Sequence, residues 1–263
     1  MDLKLKDQTV LVVGASEGIG FAAAQLFIEE GARVLIASRN AEKIQAAAQT
    51  LSAKTGQPVA CFAADIRTAD QVHQLQAWVQ DQVQQLDVLV TAVGGSHRAK
   101  FEELTDADWL ASYEFNLLGN VRLIRAFHPM LKAAGQASIV TLGAGAARMP
   151  YPNQIVSNVH KAGMLSLVKT LAAEFADDQI RVNSVCPGRT LTSLWTTRAD
   201  KIAAERGVDR DTIIAEFTHE IPMQRFGEAE ESAAMIVFLA SPRASYMTGQ
   251  SVNVDGGIAR SLV

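Results

Sequence analysis

The chain has 263 residues, 48% of them hydrophobic, and a formal net charge of −4 at pH 7. That is enough apolar material for one large core, so one α/β domain over residues 1–263 is expected. The charge is mildly acidic and no block of like charge occurs, which argues against a nucleic-acid footprint or a polybasic membrane anchor and leaves a small-molecule substrate or ligand as the expected partner.

In chain order, the opening MDLKLKDQTVLVVGAS holds an apolar stretch too short for a cleavable signal, and it runs straight into a glycine turn. The expected compartment is the cytoplasm, with Cys61 and Cys186 as reduced thiols. TVLVV (Thr9–Val13) reads as a first strand, followed by RVLIAS (Arg33–Ser38), VACFAAD (59–65), DVLVTAV (87–93), ASIVTL (Ala137–Leu142), IRVNSVC (180–186) and SVNVD (251–255). All are short, β-branched and almost continuously apolar, as strands buried on both faces of a parallel sheet must be. Segments of helical period separate them, for example GFAAAQLFIEE, which closes at Gly31. The alternation predicts a doubly wound seven-stranded parallel sheet in three α/β/α layers. Residues 190–224 are polar and too long for a plain crossover, and they are expected to form a helical insertion over the strand ends, where ligands bind in such sheets.

The first strand leads into Gly14-Ala15-Ser16-Glu17-Gly18-Ile19-Gly20. Glycines here permit a tight turn and a close backbone approach to a pyrophosphate, and a helix starting near Gly18 offers free N–H groups and its positive dipole end. An ordinary strand-to-helix turn is the plain alternative. At the end of the second strand, where a carboxylate would bind a ribose 2′-hydroxyl, the residues are Ser38, Arg39 and Asn40. Arg39 suits a 2′-phosphate through its forked donors, which predicts NADP(H) as cofactor over NAD(H). A solvated arginine at a helix start is the competing reading. Asp65 and Ile66 close the third strand, where a carboxylate takes the adenine amino group and the next side chain packs on the ring, unless Asp65 only caps the following helix.

Taken with Asn116 in FNLLGN, Lys161, the run Asn183 to Gly188 with Thr192, and GQSVNVDGG at 249–257, these residues resemble the classical short-chain dehydrogenase/reductase family, and most nearly its 3-oxoacyl-acyl-carrier-protein reductase-like members. The resemblance covers essentially the whole chain. It implies a Rossmann-type fold, a nicotinamide cofactor held also by Ala92, Gly94, Pro187, Gly188, Thr190 and Thr192, and usually a homotetramer whose main dimer face uses helices near residues 116–132 and 156–175. Asn116 and Lys161 match two of the family's four catalytic positions.

The other two depart from the pattern. The family's tyrosine aligns with Ser157, and thirteen positions earlier, where its serine belongs, stands Ala144. Thr91, Ala92, Val93 and Gly94 replace the usual Asn-Asn-Ala-Gly, which weakens polar pinning of the central strand. A phenol of reference pKa ~10, lowered by a neighbouring ammonium, donates a proton to a carbonyl oxygen as hydride arrives. Ser157 cannot imitate it, being a far weaker acid whose oxygen ends about 4 Å short of the phenol position. Losing such an acid typically costs ~10²–10⁴-fold, so ordinary ketone reduction is expected to be very slow. Lys161, one helical turn after Ser157, keeps a role on the nicotinamide ribose.

Tyr151 in MPYPN and His97 after Gly94-Gly95 are the substitutes weighed for the missing acid, against packing and surface roles. Tyr113, one helical turn before Asn116, is a further candidate that reads more readily as a packing aromatic, His160 is expected to point elsewhere on the helix than Lys161, and His73, His128 and His219 carry no partner pattern; no metal-ligand spacing occurs. Ser157 with Lys161 is thin support for a serine–lysine hydrolase. Three functions therefore compete: an NADP(H)-dependent oxidoreductase with an atypical proton donor, a non-catalytic nucleotide-binding protein or partner subunit in a hetero-oligomer with an active relative, and a lyase or isomerase on the same fold.

Overall fold

A computed structural model describes residues 2–261. One seven-stranded sheet runs through them: β1 (Thr9–Val13), β2 (Arg33–Ser38), β3 (Ala60–Ala63), β4 (Val88–Thr91), β5 (Ala137–Leu142), β6 (Ile180–Pro187) and β7 (Ser251–Val254). All neighbours are parallel, in the order β3-β2-β1-β4-β5-β6-β7. The strand order reverses between β1 and β4, which opens a crevice at their carboxyl ends.

Two apolar layers flank the sheet, and the strands feed them alternately. Val10, Val12, Val34 and Ile36 point into one core with α1 (Gly18–Glu29), α2 (Ala41–Thr55) and α9 (Ala229–Ala240). Leu11, Val13, Leu35 and Ala37 point into the other with α3 (Ala69–Gln82), α5 (Gly119–Ala133) and α6 (Ile155–Glu174). This period of two with both faces buried is why these strands read as continuous apolar runs. Between α4 (Asp106–Tyr113) and α5 the backbone widens into a π-helical turn over Glu114–Leu118. After β6, α7 (Ser193–Arg206) and α8 (Arg210–Thr218) form a pair around Ala199, Ala203 and Ile213. Among the described residues no helix is long and apolar enough to cross a membrane.

Three strands are shorter than their sequence runs, β7 by its last residue only and β3 and β4 by more. β3 lies at the sheet edge, and past Ala63 its backbone is taken over by side chains: the Asp65 N–H donates to Gln71 Oε1 at 2.7 Å. β4 ends at Thr91 because the chain must turn out beneath the crevice, the Ala92 N–H making a last bond to the Val13 carbonyl at 2.8 Å.

The central strands carry two orphaned hydroxyls. Thr91 and Thr141 pair in register between β4 and β5, and among the described residues neither buried Oγ1 has a hydrogen-bond partner. A buried polar group left unpaired costs ~1–3 kcal/mol. Thr91→Val is therefore expected to stabilise the protein by about 1 kcal/mol in urea unfolding. A clear loss of stability would mean that Thr91 has a partner.

Candidate active site

A cleft of about 510 Å³ occupies the crevice. Its first wall is the turn between β1 and α1. Gly14 has φ +92°, and a Cβ there would stand 2.4 Å from the Ala92 carbonyl oxygen; a Cβ on Gly20 would stand 2.2 Å from that of Gly14. Only glycine lets this turn close. Helix α1 then starts at Gly18 with no side-chain cap, so its first N–H groups are left for a ligand. Ser16, Glu17, Gly18 and Ile19 complete this wall.

Beyond it lie Ser38, Arg39 and Asn40. The Ser38 hydroxyl donates to Ser16 Oγ at 3.0 Å, and Asn40 caps α2 by accepting the Lys43 N–H at 2.8 Å. The cap brings Lys43 onto the same wall, 3.4 Å from the Glu17 carboxylate. Asp65 and Ile66 line the next part. Asp65 does not cap a helix through its side chain: the Arg67 Nε donates to both carboxylate oxygens at 3.0 Å, and these bonds hold its carboxyl below the usual range.

Ala92, Gly94, Pro187, Gly188, Thr190 and Thr192 line the far end, with Ser157, Lys161 and Ala144. Lys161 is buried, and its ammonium donates to the Leu142 carbonyl at 3.0 Å. Burial, slightly offset by the nearby Cys186, pushes its pKa down to about 8. Gly94 has φ +150°, and a Cβ there would lie 2.4 Å from Lys161 Nζ and 3.1 Å from Asn116 Oδ1. Asn116 thus stands directly behind the cleft, presented by the π-helical turn. Its Oδ1 accepts the Gly95 N–H at 2.9 Å and its Nδ2 donates to Ser112 Oγ at 3.2 Å. Ser112 Oγ in turn lies 3.0 Å from His160 Nδ1, an imidazole that burial keeps neutral.

Ser157 Oγ accepts the His97 N–H at 3.1 Å, so its own proton is free to point into the cleft. Beside it Ser96 Oγ donates to Gln154 Oε1 at 2.7 Å, which leaves the Gln154 amide N–H groups without an acceptor among the described residues. Ser96, Gln154, Lys43, Phe115 and Trp195 all line the cleft and were missed by sequence reasoning. Gln154 had a signal, lying three residues before Ser157 at helical spacing.

Tyr151 and His97 are not brought to the cleft. The Tyr151 carbonyl accepts from Asn158 Nδ2 at 2.9 Å, and its half-buried phenol faces Arg189, Glu220, Asp255 and Arg98, with a pKa raised by burial. The His97 imidazole turns outward, 3.7 Å from the Asp108 carboxylate.

A family model described as enoyl-(acyl carrier protein) reductase matches residues 14–259. The 3-oxoacyl-[acyl-carrier-protein] reductase of Chlamydia trachomatis is 34% identical over 257 residues, covering 97% of this chain and 98% of its own. The L-sorbose reductase of Gluconobacter frateurii, solved with NADPH and L-sorbose, superposes with a TM-score of 0.96 at 32% identity over 100% of both chains. An NADPH-bound short-chain oxidoreductase of Pseudomonas aeruginosa PAO1, described as containing an atypical catalytic center, superposes with a TM-score of 0.89 at 29% identity, covering 97% of this chain and 99% of that one. With the parallel sheet, the glycine turn and the Asn116–Lys161 pair, these matches place the chain in the classical short-chain dehydrogenase/reductase family, as a 3-oxoacyl-acyl-carrier-protein reductase-like member.

Proposed function

We propose that this protein is an NADP(H)-dependent oxidoreductase in which hydroxyl and amide donors, fed by Lys161, stand in for the family's serine and tyrosine. The observation that carries the reading is the far end of the cleft: Lys161 is buried behind it, Ala144 presents only a methyl group, and Ser157 and Gln154 offer unengaged donors. The NADPH-bound relative with an atypical catalytic center supports it.

The residues present fit the cofactor. The uncapped start of α1 suits a pyrophosphate, and Arg39 with Lys43 suits a 2′-phosphate, with no uncommitted carboxylate beside them. When bound, the nicotinamide supplies or accepts a hydride. Lys161 binds the adjoining ribose hydroxyls and, with a pKa of about 8, exchanges protons with solvent near neutral pH. Ser157 and Gln154 hold the substrate oxygen by hydrogen bonds, and the proton that oxygen needs arrives from the Lys161 side through water. Neither donor is an acid comparable to a phenol, so turnover of simple ketones is slow. NADPH oxidation across a carbonyl panel tests this, and ordinary rates would refute it.

Cofactor choice gives a second test. Arg39→Ala is expected to reduce a preference for NADPH over NADH by about tenfold at low salt, the scale of one charge-assisted contact. Equal calorimetric affinities for the two cofactors in the unmodified protein would overturn the assignment.

We also propose a homotetramer. Leu110, Tyr113 and Val159, on α4 and α6, expose large apolar side chains that a closed-symmetry interface would cover. A concentration-independent monomer in light scattering would refute it. The paired replacements Ala144 and Ser157 also suit a non-catalytic partner subunit, which native mass measurement with a co-expressed active relative would reveal as a mixed tetramer.

A further inference from the structure

Beside the far end of the cleft, three guanidinium groups converge on one pair of aromatic rings and its surroundings. Trp195, in α7, lines the cleft and packs edge-on to Phe217 of α8, centroids 5.3 Å apart. The Arg198 guanidinium lies 4.3 Å from the Trp195 centroid and 4.9 Å from that of Phe217, while Arg189 lies 5.7 Å and 4.7 Å from the same two. Arg98, on the loop leaving Gly94, Gly95 and Ser96, lies within electrostatic reach of both. Cation–π contact accounts for the stacking. It does not account for gathering like charges, which lower one another's pKa.

The negative charge available is insufficient. Glu220 is committed to Arg189, whose other arm donates to the Phe217 carbonyl. Asp255, which also reaches Tyr151, is turned onto the backbone N–H groups of Gly257 and Ala259 at 2.9 Å and 3.1 Å. Among the described residues Arg98 and Arg198 have neither a carboxylate partner nor a hydrogen-bond acceptor. Burial and then the charges of Arg98 and Arg189, only partly offset by the more distant Glu220 carboxylate, push the Arg198 pKa down to about 10. The Tyr151 phenol, kept protonated by burial, adds a neutral donor to the cluster.

We propose that Arg98 and Arg198, with Tyr151, form a binding site just outside the cleft, beyond Trp195, for the anionic end of the substrate, a carboxylate or a phosphate, while the substrate carbonyl lies inside it at Ser157 and Gln154. Arg189, satisfied by Glu220 and the Phe217 carbonyl, fixes the rings on which Arg198 rests. The site separates charged carbonyl compounds from neutral ones, because a neutral group there would leave the half-buried Arg198 guanidinium unpaired and offer nothing to Arg98. Only the placement of the carbonyl rests on the oxidoreductase reading; the anion site stands on the arginine geometry.

The test measures calorimetric affinity for two matched pairs of probes, with and without NADP⁺. Acetoacetate is compared with neutral acetylacetone, and dihydroxyacetone phosphate with dihydroxyacetone. The charged member of at least one pair is expected to bind tenfold or more tightly, and the pair that shows it distinguishes carboxylate from phosphate. Arg98→Gln and Arg198→Gln should each remove most of that preference without changing NADPH affinity, and Arg198→Lys should retain part of it. Arg98 is an exposed loop residue, so its variant remains informative if Arg198→Gln disturbs α7. Equal affinities within both pairs, including no binding of any probe, would overturn the proposal, as would an unchanged preference in both glutamine variants. Failure of the unmodified protein to bind NADPH would overturn the cofactor reading instead, and the comparison without cofactor would still decide the anion site.

Discussion

Ala144→Ser combined with Ser157→Tyr is expected to raise NADPH-dependent reduction of a reactive diketone by about 10²–10⁴-fold over the unmodified protein. The frame that such a pair needs is in place. Lys161 lies one turn after position 157 on α6, near enough to lower a phenol pKa, and Asn116 already bridges Gly95 and Ser112 behind it. A tyrosine at 157 would give up the bond from the His97 N–H and reach into a cleft of about 510 Å³. Neither single change should suffice, because both groups act on one oxygen and their effects are non-additive. Steady-state kinetics of the four proteins decides it. A double variant that binds NADPH but stays inert would show that the pocket has been remodelled beyond the two positions. An unmodified protein already turning over at ~1–10³ s⁻¹ would show that an effective acid exists, and Ser157→Ala and Gln154→Ala would then locate it.

Lys161→Met is expected to stabilise the cofactor-free protein while weakening its cofactor binding. The ammonium has a pKa of about 8 when folded against an ordinary value of 10.5. Between those values the unfolded chain binds more protons than the folded one, so the stability of the unmodified protein climbs with pH across that window. At pH 7 both states are protonated and the burial penalty is present in full, about 3 kcal/mol for a shift of this size. Methionine removes it and forfeits the bond to the Leu142 carbonyl, which costs about 1 kcal/mol. The net gain at pH 7 is then ~2 kcal/mol, and above pH 10.5 it reverses into a small loss. Urea unfolding of both proteins at pH 7 and pH 10 measures the crossing. A variant less stable than its parent at pH 7 would show that the amine is better solvated than its burial implies.

What the sequence determined by itself is whatever depends on neighbours along the chain. Seven apolar β-branched runs specified seven parallel strands, because alternate side chains must meet a helix layer, although the edge strands β3 and β7 are only half-buried. Gly14 and Gly20 were legible because they bracket one short turn, although Gly14 closes against the distant Ala92 carbonyl, and Arg39 because it directly follows its strand. Ala144 and Ser157 stood out only against the family's pattern, by their spacing from Lys161.

Only the tertiary structure decided what faces what across loops. Tyr151 and His97 lie near Ser157 in the chain or in the fold, yet one phenol turns to Arg189 and the other residue lends only its backbone N–H, since loop direction is set by distant bonds such as that from the Ala99 N–H to the Asn153 carbonyl. Gln154 acquires its meaning from Ser96, 58 positions away. Arg98, Arg189 and Arg198 carry no signal in the sequence and come together only when α7 and α8 fold over the strand ends and stack two of them on Trp195 and Phe217. Periodicity reports which side of an element is buried, whereas the partners of a polar group depend on how separate elements close against each other.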